Sequence, residues 1–91
     1  MYYILFYKTV DNYMERRVTF RDEHLALANK AHLKGHLIMA GALDNPTDSA
    51  VLIFKADSSE IPEEFAKNDP YVKNGLIMEW HVRAWTVVIG D

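Results

Sequence analysis

Apolar positions at strand spacing predict four β-strands in this chain. The first, residues 2–7, is rich in aromatic and β-branched residues and is apolar at both parities, which is typical of a strand buried on both faces. Further strands are predicted at residues 36–42 and 50–56. The last predicted strand starts at Ile77 and continues to about Ile89, with alternating large apolar and polar side chains.

Helical periodicity and capping residues predict a long helix over residues 19–34. Thr19 and Asp22 have the spacing of a capping box, with Asp in place of the usual Glu, and Gly35 follows the last helical residue. Residues 11–18 are then a polar connection. At 100° per residue, one face of this helix forms a stripe with His24 in its middle. The stripe consists of Phe20, His24, Leu27, Ala28 and Ala31.

A shorter second helix is predicted to end at Asn68, with Ser58 or Ser59 as its N-cap. Asp69-Pro70 then starts another short turn, which closes at Gly75. The resulting order is strand, helix, strand, strand, helix, strand. Two helices on one face of a four-stranded antiparallel sheet give an α+β fold of ferredoxin-like βαββαβ type.

The other face of the predicted sheet carries one parity of the first strand together with Trp85, and it is too apolar to remain in water. We therefore expect a homodimer through this open sheet face.

Composition narrows the class of protein. The 91 residues, 49% of them hydrophobic, predict a single domain over residues 1–91. The chain has no cysteine, which excludes a disulfide framework and a thiolate metal site. The net charge of −3 argues against a nucleic-acid partner, and no apolar run is long enough for a membrane helix. The expected location is the cytoplasm.

His24 and Asp69 are the main candidates for chemistry. His24 is either a hydrogen-bonded core histidine or a general base, since imidazole titrates near neutral pH. A general-base histidine needs a partner on its other ring nitrogen, and Asp69 is the candidate partner. Asp69 precedes a proline at a helix start, so it can equally be only an N-cap.

Arg17 and Arg21 lie four residues apart, near the face that carries His24. They either form a salt-bridged surface or hold an anionic or phenolate substrate. Tyr71 either lines a pocket or packs in the core. His32 and His36 have metal-ligand spacing, but Gly35 ends the helix between them, and we expect no metal site.

Several segments resemble the YciI-like (YCII-related) family, and the resemblance covers essentially the whole chain. They are Arg21-Asp22-Glu23-His24-Leu25, Ala40-Gly41, Asn68-Asp69-Pro70-Tyr71-Val72 with Gly75-Leu76, and Arg83-Ala84-Trp85. The resemblance implies a dimeric α+β barrel, a pocket between helices and sheet, and a His24–Asp69 dyad. Many members have Gly-Pro where this chain has Gly41-Ala42, which is a departure at the expected pocket mouth.

The activity associated with this family is dehydrochlorination of a chlorinated hydroxyhydroquinone, and muconolactone isomerases have a similar barrel. We expect a lyase or isomerase without a cofactor, acting on a small hydroxylated aromatic or lactone. His24 would remove a proton, Asp69 would orient the imidazole, and Arg17, Arg21 and Tyr71 would bind the substrate. The alternatives are a dimeric small-molecule-binding or accessory protein with a structural His–Asp pair, and a monooxygenase-like barrel that uses dioxygen.

Overall fold

Four antiparallel strands form one sheet in the order β2-β3-β1-β4 in the computed structural model, which describes residues 1–90. This is the predicted ferredoxin-like α+β topology, because β1 and β3 are central and each is followed by a helix. Asp91, the last residue of the predicted domain, lies outside the described residues. The elements are β1 (Tyr2–Thr9), α1 (Tyr13–Leu33), β2 (Leu37–Ala42), β3 (Ser49–Lys55), α2 (Glu60–Asn68), α3 (Pro70–Lys73) and β4 (Ile77–Trp85).

Helix α1 begins six residues before the predicted start, at Tyr13 instead of Thr19. The prediction of a polar connection over residues 11–18, with at most a helical turn, was therefore wrong from Tyr13 onward, and Thr19 lies inside the helix. Tyr13 is buried in the core. The Arg16 side chain donates hydrogen bonds to the carbonyl oxygens of Asn74, at 2.9 Å, and Gly75, at 3.4 Å. Tertiary contacts thus support the first turns, where Asn12 makes no side-chain capping bond.

Strand β4 ends at Trp85, before the predicted end near Ile89. The reason is the register of its neighbour, because Trp85 pairs with Tyr2, the first residue of β1. Beyond this pair β1 offers no backbone partner, and Val88 and Ile89 are exposed. A strand at the edge of a sheet can extend only as far as its neighbour supplies hydrogen bonds.

The core lies between the helices and one face of the sheet. Leu5 and Tyr7 of β1 and Leu52 and Phe54 of β3 are buried there, at alternate positions along their strands. The opposite face carries the other parity, including Ile4 and its cross-strand partner Ile53. We call this second surface the open sheet face; its large apolar members are Tyr2, Ile4, Phe6, Val51, Ile53 and Trp85.

Within residues 1–90, no helix is both long enough and apolar enough to cross a membrane.

The predicted stripe of α1 is confirmed, since Phe20, Leu27, Ala28 and Ala31 pack against the core and His24 is half-buried among them.

Candidate active site

Asp69 makes the central hydrogen bonds of the site and is fully buried between α2 and α3. Its backbone is extended, as expected before a proline, and Pro70 opens α3. The Asp69 Oδ1 atom accepts a hydrogen bond of 3.0 Å from the backbone N–H of Tyr71. Asp69 is therefore an N-cap, which was one of its two predicted roles.

The same carboxylate contacts His24, from the fourth turn of α1. The His24 Nδ1 atom lies 2.8 Å from Asp69 Oδ1. Because the carboxylate accepts, Nδ1 carries the proton in the neutral imidazole and Nε2 keeps its lone pair. His24 lines a cavity and its side chain is 15% exposed, so a small molecule can reach the ring. The two residues lie 45 positions apart in the chain and meet as the resemblance implied.

Tyr7 is a third member of the site, and the sequence analysis did not identify it. The Tyr7 hydroxyl donates a hydrogen bond of 2.7 Å to Asp69 Oδ2. Burial, and then the neighbouring Asp69 carboxylate, raise the pKa of Tyr7 far above its ordinary value. Tyr7 therefore keeps its proton and acts as a donor. The sequence places Tyr7 on the same face of β1 as Leu5, because the two residues are two positions apart, and this is its only indication that Tyr7 faces the site.

Tyr71 contacts His24 ring to ring. The two rings are stacked, with centroids 3.9 Å apart and planes 7° from parallel. Tyr71 is 1% exposed, and its buried hydroxyl lies near the guanidinium of Arg21. Burial, followed by Tyr13, raises the pKa of the Tyr71 hydroxyl, while the Arg21 and Arg17 charges oppose that rise. The residue both packs in the core and borders the cavity, so both predicted roles hold.

A cavity of about 420 Å³ opens beside these groups, between α1 and the β2–β3 half of the sheet. His24, Tyr71, Arg17 and Arg21 all line it, so the structure brings the predicted site residues together. No aspartate or glutamate is among the lining residues, although the protein carries a net charge of −3. The Arg17 guanidinium also lies over the ring of Tyr13, at 5.5 Å from its centroid.

Gly41 and Ala42 border the same cavity, on the edge strand β2. This is the position at which the chain departs from the Gly-Pro of many YCII-related sequences. A Cβ atom added at Gly41 would meet nothing within 4 Å, and it would point toward the open sheet face, because Gly41 pairs with Val51.

His32 and His36 do not face each other as ligands. The His32 Nδ1 atom donates to the carbonyl oxygen of Leu37 at 2.7 Å, and the backbone N–H of His36 donates to the carbonyl of Ala31. Among residues 1–90, no three His, Cys, Asp or Glu side chains are grouped so that they could hold a metal ion.

Family comparison agrees with the segments quoted above. A family model described as the YCII-related domain matches residues 1–86. The chain belongs to the YCII-related family. A protein of Haemophilus influenzae described as uncharacterized is 28% identical to this YCII-related protein, over 97% of this chain and 99% of its own length.

Solved structures show the same fold. The dehydrochlorinase of 5-chloro-2-hydroxyhydroquinone from Burkholderia phenoliruptrix, solved in complex with 2,5-dihydroxybenzoquinone, superposes with a TM-score of 0.78 at 24% identity, covering 94% of each chain. A NIPSNAP family protein from Agrobacterium tumefaciens has a TM-score of 0.55 at 18% identity, with 90% of this chain and 87% of that one covered.

Proposed function

We propose that this YCII-related protein is an enzyme of lyase or isomerase type in which His24 removes a proton from a small, hydroxylated ring. The observation that carries the proposal is how the His24 imidazole is held and where its ring lies. Its Nδ1 atom is held by a buried carboxylate, and its ring borders a cavity whose charged lining residues are arginines. This arrangement orients Nε2 as a base and favours an anionic product of deprotonation.

The substrate-binding groups would be Arg17, Arg21 and Tyr71. Ionisation of a ring hydroxyl leaves negative charge on oxygen, and a guanidinium stabilises this charge by charge-assisted hydrogen bonds. Tyr71 borders the cavity together with both arginines, and its ring, stacked on His24, would form part of the surface that binds the substrate.

Elimination of hydrogen chloride from a chlorinated hydroxyquinol needs no oxidant. His24 would take a proton from a ring hydroxyl, and a proton would be returned to the carbon that bears chlorine, which becomes tetrahedral. A second hydroxyl would then lose its proton, its electron pair forming a carbonyl as the carbon–chlorine bond breaks. The products are a hydroxyquinone, chloride and one proton, so atoms and electrons balance.

The likeness to the Burkholderia dehydrochlorinase supports this choice of ring. That enzyme was solved with a dihydroxybenzoquinone, which is a planar, oxygen-rich ring. A cavity of about 420 Å³ has room for one such ring, and it falls within the roughly 300–1,000 Å³ of ordinary small-molecule sites.

The test compares wild type with His24→Gln on a panel of hydroxyquinols, chlorinated hydroxyquinols and unsaturated lactones. Chloride release and the quinone absorbance report turnover, and ligand-induced stabilisation reports binding. We expect His24→Gln to lower kcat by about 10²- to 10⁴-fold while binding persists. His36→Gln is the matched control, because His36 lies outside the cavity lining, and it should retain full activity.

A second candidate function is a non-catalytic binding protein with a structural His–Asp pair. One observation favours it, because Asp69 caps α3 and accepts from Tyr7 whether or not His24 takes part in chemistry. This candidate predicts that panel ligands stabilise the protein without being converted. It also predicts that His24→Gln unfolds at lower temperature, because a buried acceptor loses one donor.

A further inference from the structure

The Tyr7 hydroxyl binds the carboxylate oxygen of Asp69 that His24 does not contact, and Tyr7 lines the same cavity as His24. Asp69 accepts three hydrogen bonds, from Tyr7 and the backbone of Tyr71 as well as from His24. The Tyr7 bond is the one that occupies Oδ2, while the other two share Oδ1. Tyr7 is 3% exposed, so no water replaces it as a donor.

We propose that Tyr7 is a positioning residue that sets the proton affinity of the His24–Asp69 pair by holding Oδ2 of the carboxylate. A role of Tyr7 in catalysis rests on the proposed function. Its effect on the protonation of His24 rests only on the hydrogen bonds around Asp69. Its role would be to act through Asp69, with no bond to the substrate required.

The direction of the effect follows from the O–H dipole. The hydroxyl hydrogen presents a partial positive charge to the carboxylate, which lowers the attraction of the carboxylate for a second proton on the imidazole. Removing this dipole from a buried site leaves the carboxylate charge less compensated. The pair then binds a proton more readily, and because its members are coupled, the change belongs to the pair.

Other charged and titratable groups around His24 do not replace Tyr7. From α3, Tyr71 stacks on the imidazole and donates its backbone N–H to Asp69 Oδ1. From α1 itself, the cavity is bordered by Tyr13, Arg17, Arg21 and His32. Strand β2, Leu37–Ala42, supplies only residues without titratable side chains. Among the hydrogen bonds of the described residues, the contact to Asp69 Oδ2 comes from β1 alone.

The experiment is an NMR titration of the His24 ring nitrogens in ligand-free wild type and Tyr7→Phe. We expect the midpoint of the His24 titration to move to higher pH in Tyr7→Phe, by about one unit. Tyr3→Phe is the matched control, since Tyr3 lies on the same face of β1 and the hydroxyl held by Asp69 belongs to Tyr7. The control should titrate as wild type does.

Incorporation of 3-fluorotyrosine in place of Tyr7 provides a second variant, in case Tyr7→Phe does not fold. Fluorine makes the phenol a stronger donor, so the His24 midpoint should move in the opposite direction, to lower pH. An unchanged midpoint in either folded variant would overturn the proposal and leave Tyr7 a purely structural residue.

Turnover gives an independent readout. If His24 is the base, the acidic limb of the kcat/KM profile of Tyr7→Phe should move with the NMR midpoint. A shifted midpoint in a protein that converts nothing would refute the proposed function and leave the role of Tyr7 standing. Turnover by Tyr7→Phe with an unshifted acidic limb would support the proposed function and refute the role of Tyr7.

Discussion

At the scale of single residues, Asp69 combines two roles, N-cap and histidine partner, between which the sequence did not decide. The dipeptide Asp69-Pro70 predicts an N-cap, and the family resemblance implies a partner for His24. In the structure both hold, because one carboxylate oxygen serves the Tyr71 N–H and the His24 ring. Tyr7 could not be identified in this way. Its contact with Asp69 spans 62 residues and follows from packing that no local pattern encodes.

The buried hydroxyl of Tyr7 should make stability depend on alkaline pH. In the unfolded chain its proton leaves near pH 10, about the ordinary tyrosine value, whereas the raised pKa keeps it bound in the folded protein. The stabilisation is therefore complete below about pH 10 and is lost as pH rises above that value, by about 1.4 kcal/mol per pH unit.

Urea unfolding at several pH values above neutrality measures this slope. Tyr7→Phe should show a shallower loss of unfolding free energy above about pH 10, whereas Tyr3→Phe should follow wild type. Equal slopes in wild type and Tyr7→Phe would contradict the assignment of the buried proton to Tyr7.

At the scale of elements, the strands and helices followed from the sequence, and only two of their ends differ from the predicted ones by more than two residues. The capping spacing at Thr19 is a local pattern, and it was outweighed by the contacts of Tyr13 and Arg16 with the segment around α3. One of these contacts joins positions 58 residues apart. In the same way, β4 ends where β1 begins, which is a property of the pairing register and not of residues 86–89.

The two short helices offer a test of capping. Asp69 caps α3 with its side chain, whereas Ser59, at the N-cap of α2, makes no side-chain capping bond. Asp69→Ala should lower the free energy of unfolding by about 2–4 kcal/mol, because a cap is lost and the buried Tyr7 hydroxyl loses its acceptor. Ser59→Ala should change it by less than about 0.5 kcal/mol.

Chemical denaturation of the two variants and wild type gives both values. A small cost for Asp69→Ala, comparable to that of Ser59→Ala, would show that the three bonds to Asp69 do not contribute to folding stability.

At the scale of the whole molecule, the helices of the described residues 1–90 cover one face of the sheet, and the open sheet face lies opposite. Ile4 and Ile53 pair at its centre and remain partly accessible, and Trp85 at its edge is 40% exposed. Contiguous apolar surface of this kind is typical of an interface. The dimer expected from the sequence therefore remains a prediction, and the open sheet face is the surface through which it would form.

Light scattering on the protein as it elutes from a size-exclusion column tests whether it is a dimer. Wild type should have twice the 10.5 kDa mass of one chain, and Ile4→Glu should have the mass of one chain, because a charge at the centre of an apolar interface is left unpaired. Val18→Glu introduces the same charge on α1, at a side chain that is 73% exposed, and should leave the mass unchanged. A monomeric wild type would refute the dimer.

If His24 is the proposed base, the double use of Asp69 also ties turnover to the docking of α3. The same carboxylate caps α3 and contacts the His24 ring, so a chain in which Pro70–Lys73 has not docked lacks an oriented imidazole. Circular dichroism cannot resolve a helix of four residues, whereas turnover would report its docking. Recovery of turnover after dilution from denaturant should therefore lag behind recovery of the helical signal whenever this segment docks after the other helices.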